Sequence, residues 1–219
     1  MTYMAPPSHL SLDAGSPLGL RERKKIRTRQ AIRTATYALV EEQGYDATTI
    51  EQIAERAEVS PSTVFRYFPT KEDIVLTDEF DPLMMAELAK RPVDEPLTVS
   101  LRHVMRLAVH AALQGDEEHS TRLRSHLLAN VPAVRSRMME SMSVTGRLLA
   151  EAVASRTGQE KDGLEARVYT MSLMGGLSEI TLYWAENDFR DDLMDLLDRA
   201  LDVLEQGPPG ACGTRTQTP

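Results

Sequence analysis

The chain has 219 residues, of which 42% are hydrophobic and 26% are charged, and its formal net charge is −8. This composition excludes wholesale disorder, a collagen-like repeat and a disulfide scaffold, and it allows one or two globular domains. The single cysteine, Cys212, cannot form an intramolecular disulfide, and no apolar run approaches the ~18 residues of a membrane span, so we expect a cytoplasmic protein with no membrane partner.

Basic residues are concentrated near the N-terminus. Residues 1–20 are rich in Pro, Ser and Gly without periodicity and are predicted to be a disordered leader, as residues 207–219 are predicted to be a disordered tail. Residues 21–33 carry seven basic side chains and one acidic one, although the whole chain is acidic. Such a segment is typical of a phosphate-binding surface, but a solvated helix face explains the charge run equally well by itself.

Apolar periodicity predicts helix 1 from about residue 23 to residue 43, and Gly44 follows as a C-terminal stop. Thr48, three residues before Glu51, predicts a capping box that opens a short helix 2. The side chains that define the apolar face of helix 1 are Ile32, Ala35, Leu39 and Val40.

Two further helices follow at once. Ser60 is positioned to cap helix 3, with Pro61 at its first turn, where a missing N–H costs nothing. Pro69 ends this helix, and Thr70 with Asp73 forms a second capping box that opens helix 4. Three short helices with a tight connection between the second and third are the layout of a helix-turn-helix module.

The segment around this module resembles the DNA-binding domain of the TetR (tetracycline repressor-like) family of bacterial transcriptional regulators. The resemblance covers about residues 24–75, with the helix-turn-helix motif at about residues 50–69 and the whole DNA-binding domain at residues 21–76. Glu58 departs from the Gly that the family often has in the turn, which adds strain if the position needs a positive φ. The matching residues are Ile32 to Ala35, Leu39, Gly44-Tyr45, Thr48-Thr49, Ile53-Ala54, the stretch from Val59 to Phe68, and Lys71 to Asp73.

Polar side chains of helix 3 and the cations around it are predicted to contact double-stranded operator DNA. Hydroxyls of Ser62 and Thr63 suit base edges or phosphates, Arg66 suits a guanine or a phosphate, and Tyr67 suits a backbone oxygen. The resemblance also implies contacts at Ser62, Thr63 and Tyr67. The predicted DNA-binding residues are Arg23, Lys24, Lys25, Arg27, Thr48, Thr49, Ser60, Ser62, Thr63, Arg66, Tyr67 and Lys71.

Some residues of helix 3 and its surroundings have a structural explanation as well. Thr48 and Ser60 serve as helix caps with or without DNA, and Arg66 is equally explained as a solvated side chain. Phe65 and Phe68 are expected to turn inward as core residues.

Residues 77–206 are predicted to form a larger helical domain for effector binding and dimerisation, so the expected fold class is all-α. Helix-breaking Pro, Gly and Asn residues separate stretches whose apolar residues have helical spacing, and the sequence has no alternating pattern typical of strands. The predicted helices lie at residues 71–80, 82–90, 96–113, 119–129, 132–156, 161–187 and 190–205.

The last two predicted helices carry the features of a subunit interface. The final helix has a broad leucine stripe, and the one before it contains a Gly-Gly pair whose cost suggests a close backbone approach. The resemblance implies that both helices pair with their symmetry mates in a homodimer, while ordinary intramolecular packing is the alternative. The predicted interface residues are Gly175, Gly176, Ile180, Trp184, Leu193, Leu197, Leu201 and Leu204.

Methionines are enriched in the same domain, and their adaptable side chains permit a pocket for a flexible apolar effector, although plain gap-filling explains them too. Arginines there suit a phosphate or carboxylate, so an acyl-coenzyme A would combine both chemistries. The arginines are Arg102, Arg106, Arg122, Arg124, Arg135 and Arg137. The predicted effector residues are Met105, Arg106, Met138, Met142, Tyr169 and Met174.

Catalytic, metal and cofactor signatures are missing from the sequence, so we predict no enzyme, no metal site and no cofactor. The histidines are paired seven residues apart, which is not the i, i+4 spacing of a helical metal clamp. The predicted function is a ligand-responsive DNA-binding regulator, in the resembling family usually a repressor that a small molecule releases from its operator. The alternative is a helical small-molecule-binding or protein-interaction module with an incidental basic segment.

Overall fold

The computed structural model describes residues 19–76, 80–160 and 163–207, and within them the chain forms ten α-helices and no strand. The predicted all-α class is confirmed. Apart from Gly19, Leu20 and Gly207, the predicted leader and tail lie outside the described residues, and so does Cys212. The chain divides into two compact units, Met1–Tyr67 and Phe68–Pro219.

Unit 1 contains helices α1 (Leu20–Gln43), α2 (Ile50–Arg56) and α3 (Pro61–Tyr67). The first begins three residues earlier than the periodicity predicts, so the basic segment is helical from its start. One apolar face from each helix supplies the core of this unit. The buried side chains include Ile32, Ala35, Leu39, Val40, Ile53, Ala54 and Val64.

Polar contacts fix α2 against the end of α1. Both guanidinium nitrogens of Arg56 donate to Glu42 at 2.6 Å, and this hydrogen bonding lowers the pKa of Glu42 and raises the pKa of Arg56. Gln43 donates to the carbonyl of Ala47 at 3.0 Å and to Oε1 of Gln52 at 2.9 Å. The connection between the two helices is therefore held from both sides.

Unit 2 is a bundle of seven helices in its described part, and each matches a predicted span to within a few residues. The helices are α4 (Lys71–Leu76), α5 (Phe80–Lys90), α6 (Leu97–Ala112), α7 (Asp116–Asn130), α8 (Pro132–Thr157), α9 (Leu164–Glu186) and α10 (Leu193–Gln206). The central helix is α9, which packs against α7, α8 and α10. None of the described helices combines the length and the apolar run that a membrane crossing requires.

The largest apolar core of unit 2 joins α6, α9 and α10. It buries the leucine stripe of α10 against its own neighbours in the same chain. Its buried residues are Leu88, Leu101, Val104, Met105, Leu173, Ile180, Trp184, Leu193, Leu196, Leu197 and Leu201.

Two glycines permit the close packing of α9 against its neighbours. A Cβ atom at Gly146 on α8 would lie 2.7 Å from Sδ of Met171, and one at Gly176 on α9 would lie 3.2 Å from Cδ1 of Leu204. The close backbone approach expected at the Gly-Gly pair is not seen, because the neighbour of Gly176 is the side chain of Leu204 and Gly175 has nothing within 4 Å of such a Cβ.

Candidate functional site

The basic segment forms the exposed first half of α1. Its predicted DNA-binding residues are exposed, as side chains that contact a phosphate backbone must be. They are Arg23, Lys24, Lys25 and Arg27. Because the segment is helical, consecutive side chains are rotated by 100° about the axis of α1. The positive charges therefore surround the helix and do not follow an extended chain. Lys25 also takes part in an interaction within the protein.

The N-terminus of α2 corrects one prediction. Thr49 is the N-cap, since its Oγ1 accepts from the Gln52 N–H at 3.3 Å and the Gln52 side chain accepts from the Thr49 N–H at 2.9 Å. Thr48 is 1% exposed, and its hydroxyl donates to the carbonyl of Gly44 at 2.8 Å. The predicted capping box of Thr48 and Glu51 is therefore wrong, and the Thr48 hydroxyl is not available to a phosphate.

The turn before α3 is built as the sequence predicts. Ser60 accepts from the Thr63 N–H at 3.2 Å, and its Oγ lies 2.9 Å from the hydroxyl oxygens of both Ser62 and Thr63. Glu58 has φ 54, the left-handed conformation expected at the family's Gly position. A non-glycine residue there costs about 1 kcal/mol or somewhat more.

The surface of α3 differs from the expectation in one residue. Val64 is fully buried and Arg66 is exposed, but Phe65, expected in the core, is 52% exposed. Arg66 lies over the half-buried Tyr67, with 5.3 Å between its Cζ and the ring centroid. The exposed side of α3 therefore presents Ser62, Phe65 and Arg66 together, since residues spaced i, i+3 and i+4 share one side of a helix.

The first turn of α4 contains a contact that sequence reasoning missed. The predicted capping box is confirmed, since Asp73 accepts from the Thr70 N–H at 3.1 Å and its own N–H donates to Thr70 Oγ1 at 3.2 Å. The carboxylate of Asp73 also accepts from Arg137 of α8 at 2.8 and 3.2 Å. These hydrogen bonds, together with one to Glu140, raise the pKa of Arg137. Lys71, the predicted phosphate contact, is the first residue of α4 and is half-buried.

The predicted effector residues occupy different surroundings in unit 2. Met105 is buried in the main core and Met138 is half-buried, while Met142 accepts a hydrogen bond from Ser178 at 3.6 Å. The sulfur of Met174 lies 3.5 Å from the position of a Cβ at Gly146. Met105, Met142 and Met174 thus fill space between packed helices, and their contact with an effector stays a prediction.

The predicted anion-binding arginines have partners within the protein. Arg102 donates to Asp198 at 3.1 Å and to Asp202 at 2.7 Å, and Arg106 also pairs with Asp198. Arg135 donates to the carbonyls of Leu128 and Ala129, and Arg124 is likewise engaged. Arg122 pairs with Glu118 at 2.8 Å, and Arg137 pairs with Asp73. These arginines are therefore engaged within the protein, and their contact with an acidic ligand stays a prediction.

A cleft of about 420 Å³ lies between the start of α6, the end of α8 and the start of α9. Tyr169 is the predicted effector residue that lines it, and burial, followed by the charge of Glu205, raises the pKa of the tyrosine hydroxyl. This volume falls within the range of small-molecule sites, about 300–1,000 Å³. The residues around the cleft are Pro96, Leu97, Thr98, Val153, Thr157, Gln159, Glu165, Ala166 and Tyr169.

The loop at the rim of this cleft is tied down by charged groups. Glu95 accepts from Arg91 at 2.8 Å and from Ser100 at 2.5 Å, and these hydrogen bonds lower the pKa of Glu95 to about 2. Arg156 of α8 donates to Ser100 Oγ at 2.8 Å and to the carbonyl of Leu88 at 3.3 Å. The cleft is therefore a formed feature of unit 2.

Most of the predicted dimer residues are core residues of the protomer. Trp184 is 2% exposed and Leu197 1%, and Trp184 Nε1 donates to the carbonyl of Asp191 at 2.9 Å. Side chains buried in this way cannot meet a second subunit, so intramolecular packing is the correct interpretation. It applies to Ile180, Trp184, Leu193, Leu197 and Leu201. Gly175 and Leu204 remain exposed, and Gly176 is half-buried.

A partly different set of apolar residues is exposed on the last two helices. On α9, residues at spacings of four, three and four lie on one face, and α10 contributes Leu204, which contacts Gly176, and the exposed Val203 that precedes it. We call this set the α9–α10 apolar surface. It consists of Leu164, Val168, Met171, Gly175, Val203 and Leu204.

Sequence comparisons also match the chain in two parts, although the first match extends beyond unit 1. Residues 32–77 match the family described as bacterial regulatory proteins, tetR family, and residues 95–209 match the MftR C-terminal domain. The HTH-type transcriptional regulator TcmR of Streptomyces glaucescens is 34% identical over 153 residues, which cover 66% of either chain. The fatty acid metabolism regulator protein of Bacillus subtilis is 25% identical over 79% of this chain and 91% of its own.

A solved structure has the same fold. Thermus thermophilus FadR, described as a TetR family transcriptional repressor in complex with lauroyl-CoA, superposes with a TM-score of 0.54 at 24% identity. The alignment covers 87% of this chain and 98% of that one. The order of helices in both units is thus that of a known repressor fold.

Proposed function

The chain belongs to the TetR family of bacterial regulatory proteins, and from that premise we propose that it is a dimeric repressor that a small-molecule effector releases from operator DNA. The observation that carries this proposal is the exposed side of α3, where Ser62 and Arg66 lie outside a buried Val64. A helix with polar side chains on its exposed side and an apolar side chain buried in the protein core suits the major groove. We assign it a regulatory rather than a catalytic role, in the cytoplasm where its DNA lies.

Phosphate contacts by the first half of α1 supply the non-specific part of the binding. Arg23, Lys24 and Arg27 are exposed, and each cation that meets a phosphate releases a condensed counterion. Thr49, rather than Thr48, is the hydroxyl at the start of α2 that a phosphate can reach. These contacts position the module, while α3 reads the bases.

Removing the three α1 cations together is expected to flatten the salt dependence of operator binding. In a plot of log K against log salt concentration, the slope should fall by about 0.9 for each lost phosphate contact. The variant is Arg23→Ala/Lys24→Ala/Arg27→Ala, and fluorescence anisotropy between 50 and 200 mM salt, roughly the range in which phosphate contacts dominate, measures it. Lys90→Ala, which removes an exposed cation from α5, should keep the wild-type slope. An unchanged slope in the triple variant would remove α1 from the interface.

Dimerisation is proposed to use the α9–α10 apolar surface. A short module gains affinity when two copies span half-sites roughly 34–36 Å apart or a multiple of that distance. An apolar stripe along α9, flanked by Val203 and Leu204 of α10, suits a symmetric contact with the same stripe of a second copy. The second subunit would cover side chains that are now 40–71% exposed.

A fatty acyl thioester is the effector class that we propose. The B. subtilis relative is named for fatty acid metabolism, and the T. thermophilus repressor is described in complex with lauroyl-CoA. In this chain, Leu97, Val153 and Ala166 offer an apolar wall inside the cleft, and Tyr169 adds a hydroxyl. Such a lining suits an acyl chain with a polar end.

The Arg137–Asp73 pair is a route by which movement of α8 reaches DNA binding. The carboxylate of Asp73 both caps α4 and accepts from α8, and only three residues separate the end of α3 from the start of α4 in the chain. An effector that binds only one arrangement of α8 and α9 favours that arrangement. Because Arg137 of α8 is hydrogen-bonded to Asp73, the same effector also favours one position of the capped start of α4. A coupling of about 1–3 kcal/mol changes operator affinity some five- to 150-fold, which is enough for switching.

Filling the cleft is expected to weaken effector binding while operator binding stays intact. Thr157 is exposed on the last turn of α8 and lines the cleft, so Thr157→Trp should occupy it without disturbing the core. Calorimetric titration with lauroyl-CoA should give at least about tenfold weaker binding, equal to 1.4 kcal/mol. Ser136→Trp, an exposed site near the other end of α8, is the matched control. Equal lauroyl-CoA affinity with and without bound operator would contradict the proposed release.

A further inference from the structure

An exposed aromatic ring stands among the polar groups of α3. Phe65 is 52% exposed, whereas the neighbouring Val64 is fully buried. The ring shares the outer side of the helix with Ser62 and Arg66. A large apolar side chain at this place contributes little to the core of unit 1, so its role must be sought on the outside.

The polar neighbours of this ring are held by one another. The hydroxyl oxygens of Ser62 and Thr63 both lie 2.9 Å from Ser60 Oγ, and the Arg66 guanidinium is stacked 5.3 Å from the Tyr67 ring centroid. These contacts fix the surface around Phe65 before any ligand binds. A ring held on such a surface loses little conformational freedom when it packs against a partner.

The chemistry of the groove leaves one apolar group for the ring to meet. Phe65 has no polar atom, so it can neither donate to a phosphate nor bond to a base edge. In the major groove, the C5-methyl group of thymine is the apolar feature that distinguishes a base pair, and phenylalanine is one of the side chains that contact it. The cations of α1 supply the charge that attracts a duplex to this unit.

We propose that Phe65 packs against a thymine methyl group of the operator and thereby determines which base pair is accepted at that position. The inference rests on the proposed function, since it requires α3 to enter the major groove. It adds a sequence-reading residue that makes no hydrogen bond. Discrimination at this position therefore depends on a methyl group rather than on a donor or acceptor.

Replacing thymine by deoxyuridine, which removes only the methyl group, tests the proposal. The duplex is selected by the full-length protein from a randomised pool, and each thymine is then replaced singly. At one position per half-site, uracil should weaken wild-type binding about fourfold, the equivalent of ~0.8 kcal/mol for one buried methyl group. In Phe65→Ala the duplex should bind more weakly, and the difference between thymine and uracil at that position should disappear.

Two further variants keep the result interpretable. Phe65→Tyr retains the ring and should retain the discrimination, and Val99→Ala, at an exposed valine of α6, should behave as wild type. The inference is overturned if no thymine position is sensitive in the wild-type protein, or if Phe65→Ala discriminates as well as wild type. If the protein enriches no duplex at all, the proposed function itself is overturned. If wild-type binding depends on a thymine methyl group and Phe65→Ala keeps the same dependence, this inference alone is overturned.

Discussion

Replacing Val168 by arginine is expected to produce a folded monomer that binds operator DNA poorly. Val168 is 56% exposed in the protomer, so Val168→Arg should leave the helical content and melting of each unit nearly unchanged. At the proposed apolar subunit contact, however, an arginine must lose water without a partner. Loss of the second DNA-binding module should lower operator affinity by about 10²- to 10⁴-fold.

Sedimentation equilibrium and anisotropy with the operator duplex measure the two effects separately. Val99→Arg is a matched control, because Val99 is a 48% exposed valine on α6 and lies outside the α9–α10 apolar surface. That variant should remain dimeric with wild-type operator affinity. If Val168→Arg is dimeric and binds operator normally, the subunit contact lies elsewhere on unit 2.

Local chemistry made much of the structure between Ser60 and Asp73 predictable. The cap at Thr70, the cap at Ser60 and the helical position of Pro61 depend on residues three or fewer positions apart, and the structure contains all of them. The positive φ of Glu58 was expected only conditionally, from the Gly that the resembling family often has at this position. Such features need no knowledge of distant parts of the chain.

Local sequence patterns could not predict the N-cap of α2, because two adjacent residues both fit the capping-box pattern. Thr48 and Thr49 are adjacent, and each has a residue suited to a capping box three positions later, Glu51 and Gln52. The choice of Thr49 depends on burial of Thr48 and its bond to Gly44, which the pattern does not contain. The same limit applies to Phe65, since a helix of two turns has too few buried positions to define its inner face.

Periodicity identified the apolar faces of α9 and α10 but not what covers them. Leu197 and Leu201 of α10 pack inside the protomer, while Val168 and Leu164 on the preceding helix, α9, are exposed. Contacts between residues far apart in sequence leave no periodic signal either, and the bond from Arg137 to Asp73 across 64 positions is the clearest case.

Truncation of Trp184 should have the opposite signature to the Val168 variant: a less stable protomer that still dimerises. The ring is 2% exposed, its N–H donates to the carbonyl of Asp191 at 2.9 Å, and it lies edge-on to Phe189 with 4.8 Å between centroids. Arg122 stacks over the same ring at 5.3 Å. Trp184→Ala should therefore destabilise unit 2 by about 3–5 kcal/mol, through the lost packing and the cavity left behind.

Thermal unfolding followed by circular dichroism measures this loss, with an expected fall in Tm on the order of 10 °C. Trp184→Phe keeps most of the apolar volume but removes the hydrogen bond to Asp191, so a smaller loss of about 1–2 kcal/mol is expected. Below its Tm, the alanine variant should remain dimeric in sedimentation equilibrium, because a buried ring contributes nothing to the subunit contact. A Trp184→Ala protein that is monomeric but melts like wild type would place this tryptophan at the subunit interface and reverse the assignment of core and contact surface on α9.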